Sequence, residues 1–449
     1  MSDPTTYFRS VAAEHPRCFW LDGGGAREWS GRRSLIGWLD DDDVSLTYDA
    51  GRREVTRHAE GRPEVIGDDI FDVLEGSMSP GEQWFGYFGY ACRPDLPARP
   101  DPVLPDAVWM RARHVRVFEH PQAAPLKSPD IRGLPHVSAV ATPDMRITSL
   151  TRGAPGAYVA AFDQVQEQLH AGNSYEVNLT YRLAVETRRA GENGEAGEAE
   201  KGGLDPATAY LRLRDLNPAP YAGFLQHDVA GHRGWLLSSS PERYALITPD
   251  RTLQTKPIKG TTPRGATPTE DDELKRRLAS DPKTRAENLM IVDLLRNDLA
   301  MVCEVGSVEV PSLMQVESYE SVHQLVTEVT GRLRDDITTM AALRALFPAG
   351  SMTGAPKRRT MEIIEEVEET PRGAYAGAFG WISGDGPADL GVAIRSLMTT
   401  GDGTWTMGTG GGITVRSEVD DEWAESQWKA ERLLSVFEQD ADRDEPASD

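Results

Sequence analysis

The sequence predicts an α+β protein. From Tyr158 onward, helical periodicities and short strand-like runs are intermixed, and they never settle into the steady strand–helix alternation of a parallel sheet. At 449 residues the chain would hold two or three average domains or one large interlocked unit, so a sizeable core is available.

Residues 1–118 alternate short β-like runs, such as Val44 to Tyr48 and Trp84 to Tyr90, with glycine and acidic turns. The acidic run Asp40 to Asp43 reads as a solvated turn, with a regulatory cation site as the other reading. Residues 119–150 are rich in Pro and Ala and lack periodicity, which predicts a linker ahead of a region spanning 151–438. A Gly/Glu/Ala low-complexity stretch at 186–206 has almost nothing to bury and is expected to form a mobile loop; the acidic tail 439–449 is expected to be disordered.

Three helices have readable starts. Asp281 suits an N-cap and Pro282 the first helical position of a helix that carries Glu287 in an early turn. The segment EVDDEWAESQWKAERLLSVFEQ combines an acidic start with a Leu433, Leu434 and Phe437 stripe, and places Glu422, Glu425 and Lys429 on one face. In GSMTGAPKRRTMEIIEEVEE, small residues precede a helix for which Thr353 is a possible cap and Pro356 lies near the first turn.

The charge balance excludes several classes of function. Lys plus Arg number 48 against 71 Asp plus Glu, and the net charge of −23 repels nucleic acids and anionic membranes. An anionic small substrate would need local cations. Cys18, Cys92 and Cys303 are too few and too scattered for a disulfide framework or a CxxC metal site, which suits a reducing cytoplasm. The start MSDPTTYFRSVAAEHP has no apolar signal-peptide core, and no uncharged apolar stretch of ~18 residues occurs. A soluble, cytoplasmic protein is expected.

Several residue groups are suited to chemistry. Glu287 on one helix and Glu422 with Glu425 on another would offer oxygen ligands to a hard cation if the helices face each other; a solvated helix face is the other reading. The run Gly408-Thr409-Gly410-Gly411-Gly412 lies between β-like segments, where glycines let backbone N–H groups approach an anion; a β-bulge or flexible hairpin is the alternative. Lys259, in the turn-like TKPIKGT, would become nucleophilic if neighbouring cations and burial lowered its pKa, whereas most turn lysines are simply solvated. His323 falls within an apolar–polar alternation, where a lone His is more often a hydrogen-bonded core residue than a catalyst. The chain has no GxSxG, HExxH or P-loop signature.

Between Tyr158 and Leu434 the motifs GNSYEVNLTYR, SSSPERY, TKPIKGT, RAENLMIVDLLRNDL, VHQLVTEVTG, FPAGSMTGAPKRRTMEII, RGAYAGAFGW, VAIRS, GTGGGI and EWAESQWKA occur in order. Together they resemble the chorismate-utilising family of anthranilate synthase component I, isochorismate synthase and aminodeoxychorismate synthase component I. GRRSLIG and WFGYFGY are similar to that family's amino-terminal region. The resemblance implies two large antiparallel sheets packed over a core, with helices outside and the two halves interleaved.

Position by position, the resemblance implies Mg²⁺ held by Glu287 and Glu425, with Glu422 on a metal-bound water. Lys429 and the amides of Gly410, Gly411 and Gly412 would meet the ring carboxylate of chorismate, and Arg395 with Tyr375 the enolpyruvyl carboxylate. Glu242 would be the general acid, while His323, Ser351 and Thr261 would orient the substrate. Lys259 stands where the anthranilate-forming members carry Ala, and implies covalent attack at C2 and delivery of ammonia to C4, giving 4-amino-4-deoxychorismate. Formation of anthranilate or 2-amino-2-deoxyisochorismate is the enzymatic alternative, and an inactive chorismate-binding subunit the non-enzymatic one.

Glu176 departs from the Gln of many relatives and from the lysine of isochorismate synthases, which argues against water as the nucleophile and leaves the role of Glu176 open. WLDGG at Trp20 to Gly24 does not reproduce the family's LLES-type tryptophan pocket. None of the three cysteines lies in a GxCxGxQ turn, so ammonia is expected from a separate class I glutaminase or from solution.

Overall fold

The computed structural model describes residues 3–23, 33–120, 146–147, 153–187, 203–319 and 322–438. Most of the predicted linker, the centre of the low-complexity stretch, the tail from 439, and Gly24 lie outside the described residues. Among the described residues the strands form two antiparallel sheets, one of ten strands and one of twelve, with helices against them, so the α+β prediction holds.

Alternation along single strands builds this arrangement. On the strand Arg17–Asp22, Phe19 stacks on Phe85 of the strand Gln83–Phe88 in the other sheet, with ring centroids 3.9 Å apart. Its neighbour Trp20 points the opposite way, against Phe8 of the helix Pro4–Glu14 and Tyr210 of the helix Pro206–Leu216. Both faces of the strand are therefore buried, and its centre, Cys18 to Leu21, is a continuous apolar run instead of an alternation. The main core lies between the sheets, and a second apolar cluster fills the space under the outer helices.

The break at 119–150 does not divide the sheets. Arg17–Asp22 pairs with Tyr221–His227 in one, and Gln83–Phe88 pairs with Ala378–Ser383 in the other. Strands from both sides of the break complete each sheet. Among the described residues no helix is long and apolar enough to cross a membrane.

The predicted helix starts fare differently. Asp281 caps the helix Pro282–Val302 by accepting from Thr284 N–H at 2.7 Å, and the last α-helix runs Val419–Leu434. The third helix, Lys357–Val367, begins later than expected: Pro356 is its N-cap, and Thr353 turns its hydroxyl back to the carbonyls of Ala349 and Gly350 instead of capping. The acidic turn at 40–43 is held from within. Arg17 donates to the carbonyls of Asp40 and Asp43, Arg113 pairs with Asp43 at 3.0 Å, and His114 with Asp40 at 2.8 Å. The ligand atoms of Asp40, Asp43 and His114 lie close enough for a cation, but the Arg113 guanidinium already pairs with Asp43.

A buried pair anchors the strand Glu176–Glu186 to its surroundings. Glu368 accepts from Thr180 N–H at 2.8 Å and forms a bidentate pair with Arg372, which also donates to the carbonyls of Asn178 and Met352. Arg372→Met leaves Glu368 without its charge partner and is expected to cost roughly 3–5 kcal/mol, read from urea unfolding, whereas a loss below about 1 kcal/mol would contradict this role.

Three histidines near Thr47 supply a pH-dependent stability term. His227 Nδ1–H donates to the His232 carbonyl at 2.8 Å, so in the neutral ring Nε2 accepts from the Ser45 hydroxyl at 2.9 Å. Burial pushes His227 from its ordinary 6.5 down to about 4; burial with neighbouring His227, His232 and Arg17 pushes His58 to about 3. The unfolded chain binds these protons first, so this contribution is complete above 6.5 and is lost as the pH falls through the folded values. The destabilisation caused by His227→Asn should therefore be smaller at pH 5 than at pH 7, by about 2 kcal/mol. A pH-independent difference between the two proteins would contradict it.

Candidate active site

The chain around Lys259 does not end in a turn. Pro257 separates the strand Thr252–Lys256 from a further strand, Ile258–Pro263, and both pair with Val322–Arg332. The register slips between Ile258 and Thr261, where Gly260 adopts φ +85°, a bulge conformation that favours glycine. Lys259, 8% exposed, lines a cavity of about 290 Å³.

The same cavity is lined by Glu242, Thr261, Ser351, Tyr375, Arg395, Gly410, Gly411, Gly412, Lys429, Glu287, Glu422 and Glu425. His323 is the exception among the sequence-selected residues. Its ring bonds Ser318 Oγ at 2.8 Å and Asp271 at 3.0 Å, and Asp271 is gripped by both arms of Arg264. Its neighbour Gln324 lines the cavity, as the period-2 alternation of a strand dictates. Among the described residues His323 ties the helix Pro268–Ser280 to this strand rather than facing the cavity.

The glycine run is neither a bulge nor a hairpin. It belongs to one strand, Thr404–Ile413, paired residue for residue with Glu176–Glu186 from Val177 opposite Ile413 to Glu186 opposite Thr404. A Cβ on Gly412 would sit 2.2 Å from Glu176 Oε1 and 2.9 Å from Lys259 Nζ. Glycine there makes room for a buried ion pair between Lys259 and Glu176, which is 1% exposed.

That pair dominates the electrostatics. Burial alone would lower the pKa of Lys259, but Glu176 in contact, with the fields of Glu287 and Glu242, outweighs burial and raises it. The condition for a depressed lysine, neighbouring cations, is not met: carboxylates surround it, and in this structure it is an ammonium. Burial pushes Glu242 up to about 7, although Ser351 Oγ donates to it at 2.5 Å and Lys259 lies nearby. Burial likewise pushes Glu287 up to about 7.

One wall is rich in carboxylates, as expected of helices that face each other. Glu287 comes from Pro282–Val302, and Glu422 and Glu425 come from Val419–Leu434. Lys283 donates to Glu422 at 2.8 Å and lies 4.0 Å from Glu287, so one cation already sits between the two helices. Glu287 Oε1 is buried with no hydrogen-bond partner. An orphaned carboxylate oxygen beside an ammonium bridge is a donor set that fits a hard divalent cation. Lys429 pairs with Glu425 at 2.7 Å, holding it below the usual carboxylate range, and donates to the Gly410 carbonyl at 2.9 Å.

A cation, Arg395, lines the same cavity. Arg395 has φ +51°, an uncommon conformation for a non-glycine residue, and burial pushes its pKa down to about 10. Among the described residues its guanidinium meets no carboxylate and lies over the Trp428 ring at 5.7 Å. A half-buried guanidinium with no carboxylate in contact suits an anionic group.

Sequence reading missed Lys283, Asn178 and Gln324. Lys283 was findable from its spacing of four to Glu287. Asn178, which donates to the Ser351 carbonyl at 3.2 Å, carried no signal beyond strand alternation.

The model of the chorismate binding enzyme family matches residues 16–435. The chain is 38% identical over 479 residues to an aminodeoxychorismate synthase of Streptomyces pristinaespiralis, covering 97% of this chain and 64% of that one. It is 42% identical over 281 residues to aminodeoxychorismate synthase component 1 of Escherichia coli (strain K12), covering 63% of this chain and 57% of the relative. The chain thus spans less than two thirds of the length of these relatives. Its fold is similar to the crystal structure of anthranilate synthase component I from Streptococcus pneumoniae TIGR4, with a TM-score of 0.69, 25% identity, and 90% of this chain and 92% of that one covered. With the family match extending over nearly all of both sheets and over every wall of the cavity, the chain belongs to the chorismate binding enzyme family.

Proposed function

We propose that this chain converts chorismate and ammonia to 4-amino-4-deoxychorismate, with Lys259 as a covalent nucleophile. The observation that carries the reading is that Lys259 and Glu242 line one cavity together with the Glu287, Glu422 and Glu425 cluster and with Arg395. Chorismate is a dianion, and these groups differ in the way its two carboxylates require: the acidic cluster suits a metal-assisted carboxylate, the guanidinium a carboxylate held directly.

Arg395 and Tyr375 take the enolpyruvyl carboxylate, while Lys429 and the edge of the glycine strand meet the ring carboxylate. Glu287 and Glu425 would hold Mg²⁺, with Glu422 on its water, after Lys283 gives way. Bound there, Mg²⁺ supplies Lewis-acid stabilisation of negative charge on the ring carboxylate.

Lys259 Nζ, once neutral, forms a bond to C2. The ring double bond shifts and the C4–O bond breaks, the hydroxyl leaving as water with the proton of Glu242, whose value near 7 keeps a substantial acid fraction at neutral pH. Ammonia then adds at C4, the C2–N bond breaks, and its electron pair returns to Lys259. Two allylic displacements bring the nitrogen to C4, where one would leave it at C2. Thr261 and Ser351 orient the ring, and Ser351 holds the Glu242 carboxyl in place.

Ammonia comes from a separate glutaminase or from solution. Cys18, Cys92 and Cys303 are free and buried, and burial raises the pKa of each, the reverse of an activated thiol. The Escherichia coli relative is named component 1, which suits a second component.

Incubation of the purified chain with chorismate, ammonium and Mg²⁺ should yield 4-amino-4-deoxychorismate by liquid chromatography and mass spectrometry. Lys259→Ala should reduce that product by at least ~100-fold, the scale expected when a covalent route is removed. Anthranilate or a 2-amino product from the wild-type chain, or wild-type rates in the variant, would overturn the reading.

A further inference from the structure

We infer that Glu176 is the proton acceptor for Lys259, taking the proton that the ammonium must shed before it attacks and restoring it when the amine is expelled. The inference rests on the nucleophilic reading of Lys259 given above.

An amine cannot attack carbon while it is an ammonium, and Lys259 is held as one. Four carboxylates act on it from four elements: Glu176 from Glu176–Glu186, Glu242 after Gly234–Ser240, Glu287 from Pro282–Val302, and Glu425 from Val419–Leu434. Among the described residues only Glu176 is within ion-pair distance. Its Oε1 accepts from Lys259 Nζ, and its Oε2 is buried with no hydrogen-bond partner. A carboxylate with one oxygen on the ammonium and the other unsatisfied has the geometry to carry a proton.

Glu176 does not line the cavity, so its proton exchanges with Lys259 rather than with substrate. Gly412 leaves the space that brings the two side chains together. Glu242, fixed on Ser351, stays free for the departing hydroxyl.

The protons balance. Transfer from Lys259 to Glu176 gives a neutral amine and a carboxylic acid. Bond formation at C2 turns the amine into a secondary ammonium, as water leaves with the proton of Glu242. When ammonia adds at C4 and the C2–N bond breaks, Lys259 departs as a neutral amine and the new C4 ammonium returns a proton to Glu242. Glu176 then reprotonates Lys259, restoring the starting pair.

Glu176→Gln preserves the shape and removes the acceptor. Competitive acetylation of amines with acetic anhydride, read at Lys259 by peptide mass spectrometry, should be about tenfold or more faster in the variant than in wild type near pH 8, because the counter-charge is gone. In steady state, the ratio of variant to wild-type kcat should be low near neutrality and rise with pH as solvent replaces the internal acceptor, with Glu176→Asp falling between. Unchanged acetylation, or a kcat ratio flat with pH, overturns the role of Glu176 even where 4-amino product is formed. Normal acetylation behaviour with no 4-amino product from either protein would instead overturn the reading of Lys259 on which it rests.

Discussion

The arrangement depends on one buried ammonium and the carboxylates that keep it charged. Lys259 belongs to one sheet and Glu176 to the other, so their contact is also a contact between sheets. Desolvating either charge alone would cost several kcal/mol, and each is tolerable only because the other is present. Gly412 shows how closely the surroundings are fitted to the pair, since even a methyl group would intrude on both side chains.

The same logic extends outward. Three acidic side chains on two facing helices would repel one another, and Lys283 and Lys429 compensate them in this structure. Among the described residues Arg395 contacts no carboxylate, and it sits on strained backbone, the combination expected where a ligand completes the site. In a chain of net charge −23, an anionic ligand would depend on such local cations. Glu368 and Arg372 supply the rigid backing, bonding directly to the strand that carries Glu176.

Much of this was legible in the residues themselves. Asp281-Pro282 marks its helix start because cap chemistry is local, and Glu422, Glu425 and Lys429 fall on one face because helical spacing is. The α+β class followed from the mixture of periods. What was not legible depended on partners distant in sequence. The charge state of Lys259 depends on Glu176, Glu242 and Glu287, which come from distant parts of the sequence. The glycine run gave no sign of being a regular strand, because glycine has low strand preference and only the ladder to Glu176–Glu186 holds it extended. His323 and Gln324 are neighbours on one strand; the sequence singled out His323, and alternation sent Gln324 into the cavity instead.

On the proposed mechanism Lys259 bonds to the substrate. The most direct measurement is intact-protein and peptide mass spectrometry of the chain quenched with chorismate and Mg²⁺ in the absence of ammonia. An adduct with the mass of chorismate less water is expected, located on Lys259 and absent from Lys259→Ala. An enzyme that forms 4-amino product at full rate while its Lys259 peptide stays unmodified at every quench time would contradict it.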